Sequence, residues 1–181
     1  LREDYRPQWT KAAMLPPEQR AEARLSAARA AFAMGDTRAT NAILSTAVSA
    51  NPELAIQPNV IFLRSAAQLL NGDVADASAL ENPDVGADGI FWHGLYLARK
   101  DTSPEKAASF LAQGYGNLLG YPEPLRKELQ PEVATFIAQH GSDEDRTVIA
   151  PLPATHDYDL ARAFLALRDQ DQERALGMFT H

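Results

Sequence analysis

The histidines of this chain, with the acidic residues around them, are the side chains whose types and spacing would allow chemistry. His156 and Asp159 stand three positions apart, the separation at which two side chains meet on one face of a helix and can share a metal ion. That face carries no second histidine, and the HExxH pattern of zinc proteases is absent. We therefore favour an aspartate that caps a helix beginning at this point.

Two further histidines also have a structural interpretation. His140 precedes the acidic residues 143–145, which would hold a divalent cation only loosely. An EF-hand loop needs acidic residues at alternate positions, a central glycine and a closing glutamate, so we expect a solvated loop there. His93 follows Trp92 in an apolar segment, and we expect it to pack between helices rather than to act as a ligand or a base.

No nucleotide-binding or catalytic motif is complete. Gly114, Gly116 and Gly120 are closely spaced, but a phosphate-binding loop places its glycines between a strand and the start of a helix. Here they interrupt or end a helical pattern, so we expect them to allow close packing. The chain also lacks GxSxG, a Walker A sequence and any cysteine, which excludes thiolate chemistry. The sequence predicts no enzyme activity and no metal or cofactor.

Composition argues against other classes of function. The net charge is −7 at pH 7 and the arginines are scattered, so we expect no binding to nucleic acid, which needs a basic face. No run of about 18 apolar residues is present, and we expect no membrane insertion within this segment. The alanine-rich, lysine-poor usage suggests a bacterial protein, cytoplasmic or periplasmic, of open oligomeric state. Because the chain begins at Leu1 and stops within an apolar pattern, we interpret it as a fragment of a longer protein.

The elements that carry these residues are predicted to be helices, and residues 28–52 show the pattern best. Apolar residues recur every three or four positions to Phe32, stop at Gly35–Asp36, and resume until Asn51–Pro52. Glycine suits the positive φ after a helix, and aspartate suits the cap of the next one. The long β-branched and aromatic runs of buried strands are missing. The predicted fold is therefore all-α.

Variants of this helix–turn–helix unit return along the chain. Gly72–Asp73 repeats the turn 37 residues after Gly35–Asp36, and Lys100–Asp101 replaces it in the third round. We predict about eight or nine helices in antiparallel pairs, forming one domain over residues 1–181. Its units lie near 17–52, 56–83 and 86–120, followed by an irregular helix and loop at 121–155 and a truncated unit at 156–181.

Two stretches are expected to depart from regular pairs. The second helix of the second unit, Val74 to Leu80, is predicted to be short because Asn82–Pro83 ends it. Pro131 lies inside a helical pattern over residues 125–139. We expect it to bend or split that helix, since proline removes a backbone hydrogen bond and crowds the preceding turn.

The paired pattern resembles the tetratricopeptide repeat (TPR), whose unit is about 34 residues. That family has a small residue inside the first helix, Gly–Asp at the turn, alanines in the second helix and a proline at the end. In the first unit the matching residues are Ala28, Gly35, Asp36, Leu44, Ala47 and Pro52. The third unit is similar to the Sel1-like relative, which tolerates an extra turn residue, at Gly94, Leu97, Ala107 and Leu111. The last unit matches at Asp171, Ala175 and Phe179.

The resemblance implies an α/α superhelix whose concave inner face is lined by the first helix of each pair. In the family that face usually holds an extended peptide or a helix of a partner protein. The residues expected on it are Glu22, Leu25, Arg29, Asn59, Phe62 and Phe91. The predicted function is a non-catalytic scaffold for protein–protein interaction.

Two other functions stay open. The first is a structural spacer that joins domains and binds nothing along its groove. The second is a regulatory or substrate-carrying domain of a larger bacterial protein, such as an envelope, secretion or motility assembly, or an enzyme whose catalytic domain lies outside this segment. An exposed apolar or aromatic patch on the inner face would favour the scaffold over the spacer.

Overall fold

The computed structural model describes Pro7, Thr10, residues 13–86 and residues 88–168. Every regular element within them is helical, so the predicted all-α fold is confirmed. The eight α-helices of the described part are α1 (Pro17–Ala33), α2 (Thr37–Ala50), α3 (Pro58–Leu70), α4 (Gly89–Arg99), α5 (Pro104–Leu119), α6 (Glu123–His140), α7 (Asp143–Thr147) and α8 (Asp159–Arg168). Three short 3₁₀ segments are Pro52–Ile56, Ser78–Glu81 and His156–Tyr158. The predicted matches at Asp171, Ala175 and Phe179 lie outside the described residues.

By its internal contacts the chain divides into two compact units. The first comprises Leu1–Gly89 with Tyr121–Leu125, and the second comprises Ile90–Gly120 with Arg126–His181. In the first unit α2 packs against α1, and α3 packs against both. In the second unit α7 packs against α5. The single domain over the whole chain stays a prediction.

The turn between α1 and α2 is built as its sequence predicts. Gly35 has a φ of +77° and its N–H donates to the carbonyl of Phe32, while the N–H of Asp36 donates to the carbonyl of Ala31. These two bonds form a Schellman motif, the usual ending of a helix at a glycine. The Asp36 carboxylate then accepts the N–H of Ala39 at 3.0 Å and caps α2. Two adjacent residues therefore end one helix and start the next.

The second turn, after α3, repeats this geometry 37 residues later. Gly72 has a φ of +89°, and the N–H of Asp73 donates to the carbonyl of Gln68 at 3.0 Å. The two turns are also joined directly, because Thr37 Oγ1 donates to Oδ1 of Asn71 at 2.5 Å. The start of α2 and the end of α3 are thereby held together.

The third turn, after α4, keeps the geometry with different residues. The positive φ of +55° belongs to Asp101, and the N–H of Thr102 donates to the carbonyl of Leu97. Asp101 thus occupies the glycine position, one residue later than the alignment of Lys100–Asp101 with Gly–Asp predicts. Aspartate is among the few residues other than glycine that tolerate this conformation. Ser103 also has a positive φ, +53°, and makes this turn one residue longer than the first.

The predicted helix from Val74 to Leu80 is wrong. These residues form turns and then the 3₁₀ segment Ser78–Glu81. Only about two helical turns fit between Val74 and Asn82–Pro83, and so short a segment does not recover the cost of nucleating a helix. The second round of the pattern therefore has only one α-helix, α3, within the described residues.

Pro131 does not split its helix, because α6 runs unbroken from Glu123 to His140 with the proline inside it. Leu129, Val133 and Ile137 lie on both sides of the proline and are each 0% exposed. Burial of such side chains contributes about 1.5–3 kcal/mol apiece. Together they outweigh the cost of about 3 kcal/mol for a proline inside a helix.

Glycines let α4 and α5 approach each other closely. A Cβ on Gly114 would lie 2.5 Å from Cβ of Phe91, and a Cβ on Gly94 would lie 2.9 Å from the backbone nitrogen of Leu111. Carbon atoms do not approach so closely without displacement, so no larger residue fits at either position. The packing role predicted for Gly114 is confirmed. Gly116, on the same helix, would place a Cβ in open space.

A small buried residue lies seven positions before the positive-φ residue in all three rounds. These residues are Ala28, Ser65 and Gly94, on α1, α3 and α4. After the turn, Thr40, Ala77 and Ala107 are each 0% exposed. The first helix of each round therefore carries a small residue at one fixed distance from its turn, where a larger side chain would hold a neighbouring segment away.

The contact at Gly114 can be tested with a matched pair of substitutions. We expect Gly114→Ala to lower the free energy of unfolding by about 1–3 kcal/mol, because the new methyl group overlaps Phe91. Gly116→Ala should raise it by about 0.5–1 kcal/mol, since alanine favours helix and meets nothing there. Urea unfolding followed by circular dichroism measures both values. Equal effects of the two substitutions would contradict the close approach of α4 and α5.

Candidate functional site

The residues predicted to line a partner-binding face divide into exposed and buried ones. Glu22 and Arg29 are exposed on α1 and form an ion pair, with Arg29 Nη1 3.4 Å from Glu22 Oε1. Asn59 is exposed on α3. Leu25 and Phe91 are core residues, 2% and 0% exposed, and a partner would reach neither without opening the helix packing. The surface available to a partner therefore includes Glu22, Arg29 and Asn59 but not these two.

Phe62 is half-buried, because the loop after Ser78–Glu81 lies against its ring. A Cβ on Gly86 would lie 2.9 Å from Cδ2 of Phe62, and Gly86 has a φ of +79°. Only glycine combines this backbone conformation with so close an approach to the ring. Phe62 therefore stays partly exposed, and Gly86 lies against part of its ring.

A groove of about 430 Å³ lies along α3 in the first unit, and sequence reasoning did not identify it. Its polar lining comes from Arg64, Ser65 and Gln68 on α3 and from Asp76. Its apolar lining consists of Ala55, Val60 and Ile61. One feature of the sequence indicates the groove. Its polar residues Arg64, Ser65 and Gln68 each stand 37 positions after an alanine.

The pair His156 and Asp159 is a side-chain hydrogen bond on the surface. Nδ1 of His156 lies 2.6 Å from Oδ2 of Asp159, and Arg162 Nη2 donates to the other carboxylate oxygen. The hydrogen bond from Arg162, followed by that from His156, holds the pKa of Asp159 below its ordinary value of 3.8, and burial opposes the shift only in part. The carboxylate thus binds two side chains of its own segment, whereas a role in capping was predicted.

The acidic stretch after His140 forms the short helix α7 and closes the end of α6. Ser142 and Asp145 form a capping box at the start of α7. Arg146 is buried, and its guanidinium donates to the carbonyls of Ala138 and Gly141 at the end of α6. These carbonyls have no partner within the helix, so the arginine satisfies them. The predicted solvated loop is instead an ordered cap.

The ring of His93 packs edge-on against Phe110, with ring centroids 4.9 Å apart, and the residue is 7% exposed. This confirms the predicted packing role. On the same helix, Arg99 reaches Glu132 of α6 through two hydrogen bonds of 3.2 and 2.9 Å. Two parallel bonds give such a pair a fixed orientation. His93 and Arg99 therefore join α4 to α5 and to α6 within the second unit.

The depressed pKa of Asp159 leads to a measurable prediction. We expect an NMR titration of the carboxyl carbon to give a pKa below 3.8. Because the pKa of Asp159 is lower in the folded than in the unfolded chain, the carboxylate stabilises the fold at pH values above its ordinary pKa of 3.8. This contribution is lost as the pH falls through the folded-state pKa.

Two variants separate the causes of that shift. Arg162→Gln should return the pKa of Asp159 most of the way to its ordinary value, because the arginine makes the larger contribution. His156→Ala should return it by less. A pKa at or above 3.8 in the unmodified protein, or a larger effect of the histidine, would contradict the geometry.

Within the described ranges, no three histidine, aspartate or glutamate side chains come close enough together to hold a metal ion. None of the helices described is long and apolar enough to cross a membrane. Comparison with protein-family models, with curated proteins and with solved structures finds no match to this chain.

Proposed function

We propose that this chain is a scaffold of degenerate TPR- and Sel1-like helix pairs that binds a peptide or helix of a partner protein and catalyses no reaction. The observation that carries the proposal is the recurrence of one turn geometry after α1, α3 and α4. Each turn follows a helix with a small buried residue seven positions earlier, namely Ala28, Ser65 or Gly94. Repeated units with this construction stack and expose one helix of each pair along a common face.

The proposed binding face in the first unit is formed by α1 and α3, which pack against each other. Its side chains are Glu22, Arg29 and Asn59, with the exposed part of Phe62. A face of this kind combines charged groups with one aromatic anchor, which suits an extended peptide or a helix. The net charge of −7 favours a partner with basic or apolar segments.

The ion pair between Glu22 and Arg29 leaves both groups available to a partner. Their side chains are 75% and 50% exposed, and exposed pairs of this kind contribute only about 0–1 kcal/mol. A partner that offers a better-placed cation to Glu22 or a carboxylate to Arg29 replaces the pair at little cost. The face is therefore free to exchange its internal contact for an intermolecular one.

The burial of two of the predicted face residues favours the second candidate, a structural spacer. Leu25 and Phe91 are in the core. A spacer needs no exposed anchor along its first helices. The two candidates differ in whether a second protein touches Asn59.

Photo-crosslinking in cells of the source organism separates them. We expect a photoreactive amino acid at Asn59 to form adducts with a distinct protein, and Arg29→Glu to reduce their yield at least tenfold, since it replaces a cation of the face with an anion. Arg38→Glu is the matched control, because Arg38 is exposed on α2 and makes the same change of charge outside the face.

Folding of each variant is verified by circular dichroism. An adduct lost with Arg29→Glu and kept with Arg38→Glu supports the scaffold. Absence of any adduct at Asn59 supports the spacer and contradicts the proposed function.

A further inference from the structure

The groove lies on a face of α3 whose counterpart on α1 is buried. Arg64, Ser65 and Gln68 stand 37 positions after Ala27, Ala28 and Ala31. The three alanines are each 0% exposed, on a helix against which α2 and α3 pack. On α3 the corresponding face is polar and only partly covered, since Arg64 is exposed and Gln68 half-buried while Ser65 is buried.

The face is open because the second round lacks its second helix. In the first pair the turn leads into α2, a helix of 14 residues. After α3 the chain continues only as turns and the 3₁₀ segment Ser78–Glu81, which packs on α3. A short segment covers less of a helix than a full antiparallel neighbour does. The groove therefore lies where the pattern of the first pair would place a helix.

The chemistry of the groove indicates what fits there. Arg64 has no hydrogen-bond or ion-pair partner among the residues described, so its five donors are available to a carboxylate. Ile61 lies one helical turn before Arg64 on the same face of α3. Ile56, the last residue of the 3₁₀ segment Pro52–Ile56, is 78% exposed. An isoleucine so exposed gains from contact with another aliphatic side chain.

We propose that this groove, defined by Ile61, Arg64, Gln68 and Asp76, binds a helical segment of a partner protein that carries an aliphatic residue and a carboxylate one turn apart. The aliphatic side chain lies on Ile61 and Ile56, and the carboxylate pairs with Arg64. The helical form follows from the first pair, in which a helix occupies the equivalent place. Arg64 is a cation without a partner among the described residues, in a chain of net charge −7, so its side of the groove favours a carboxylate, while Asp76 lines another part of it.

This inference is independent of the proposed inner face. None of Glu22, Arg29, Asn59 and Phe62 lines the groove. A partner bound at the groove would leave those residues accessible, and loss of binding at one surface would not remove binding at the other. The two proposals can therefore fail separately.

Selection from a random-peptide display library, with this chain as the immobilised target, tests the inference. We expect enriched peptides to share an aliphatic residue and an acidic residue at helical spacing, and to lose at least tenfold in affinity for Arg64→Glu, because two anions then face each other. Arg38→Glu is again the matched control and should leave the affinity unchanged. A peptide with lysine in place of its acidic residue should regain affinity for Arg64→Glu.

Three outcomes would overturn the inference. One is a selection that enriches no such peptide. Another is a set of enriched peptides whose binding survives Arg64→Glu, which would place them elsewhere, for instance on the inner face. The last is a dimer of this chain, measured by light scattering, that Arg64→Glu dissociates, because the groove would then hold a second copy rather than a partner.

Discussion

The close approach of helix backbones at small residues is the constraint on which the paired architecture depends. At Gly114 and Gly94 a single Cβ would already collide with the facing helix, so α4 and α5 lie nearer to each other than larger side chains permit. The gain is the burial of Phe91, Leu95 and Leu111, each no more than 1% exposed, around the contact. In the first pair Ala28 and Ala47, both fully buried, occupy comparable positions.

The parts of the fold that follow from local chemistry could be predicted from the sequence. Gly35–Asp36 and Gly72–Asp73 specify their turns, because glycine adopts the positive φ and aspartate caps the next helix or repeats the hydrogen bond. The alignment of Lys100–Asp101 with Gly–Asp places the third turn one residue too early. The positive φ belongs to Asp101, whereas the alignment assigns it to Lys100. The split expected at Pro131 does not occur, for another reason. Its helix is retained by the side chains buried around it, and that burial depends on neighbours the local sequence does not reveal.

The candidate surface was predictable only in part, because exposure depends on which side of each helix the rest of the chain covers. A helical period identified Glu22, Leu25 and Arg29 as neighbours on α1, but Leu25 is in the core and the other two face solvent. The sequence does not predict the groove at Arg64, because its pattern favours a helix between Val74 and Leu80 and the structure has none there. Side chains that suggested chemistry hold the structure together instead: Arg146 caps α6, and Asp159 binds His156 and Arg162. The spacing of such residues in the sequence predicts that they are neighbours, whereas their burial and their hydrogen bonds depend on the fold.

Helix pairs that meet at small residues position the exposed faces. Nuclear Overhauser effects between Gly114 Hα and the Hα and Hβ protons of Phe91 test it most directly, together with those between Gly94 Hα and the Hβ protons of Phe110. We expect strong effects at both contacts, since a Cβ would lie 2.5 Å from Cβ of Phe91 at Gly114 and 2.9 Å from Cβ of Phe110 at Gly94. Their absence, in a protein whose amide spectrum shows it to be folded, would contradict the paired architecture and the binding surfaces derived from it.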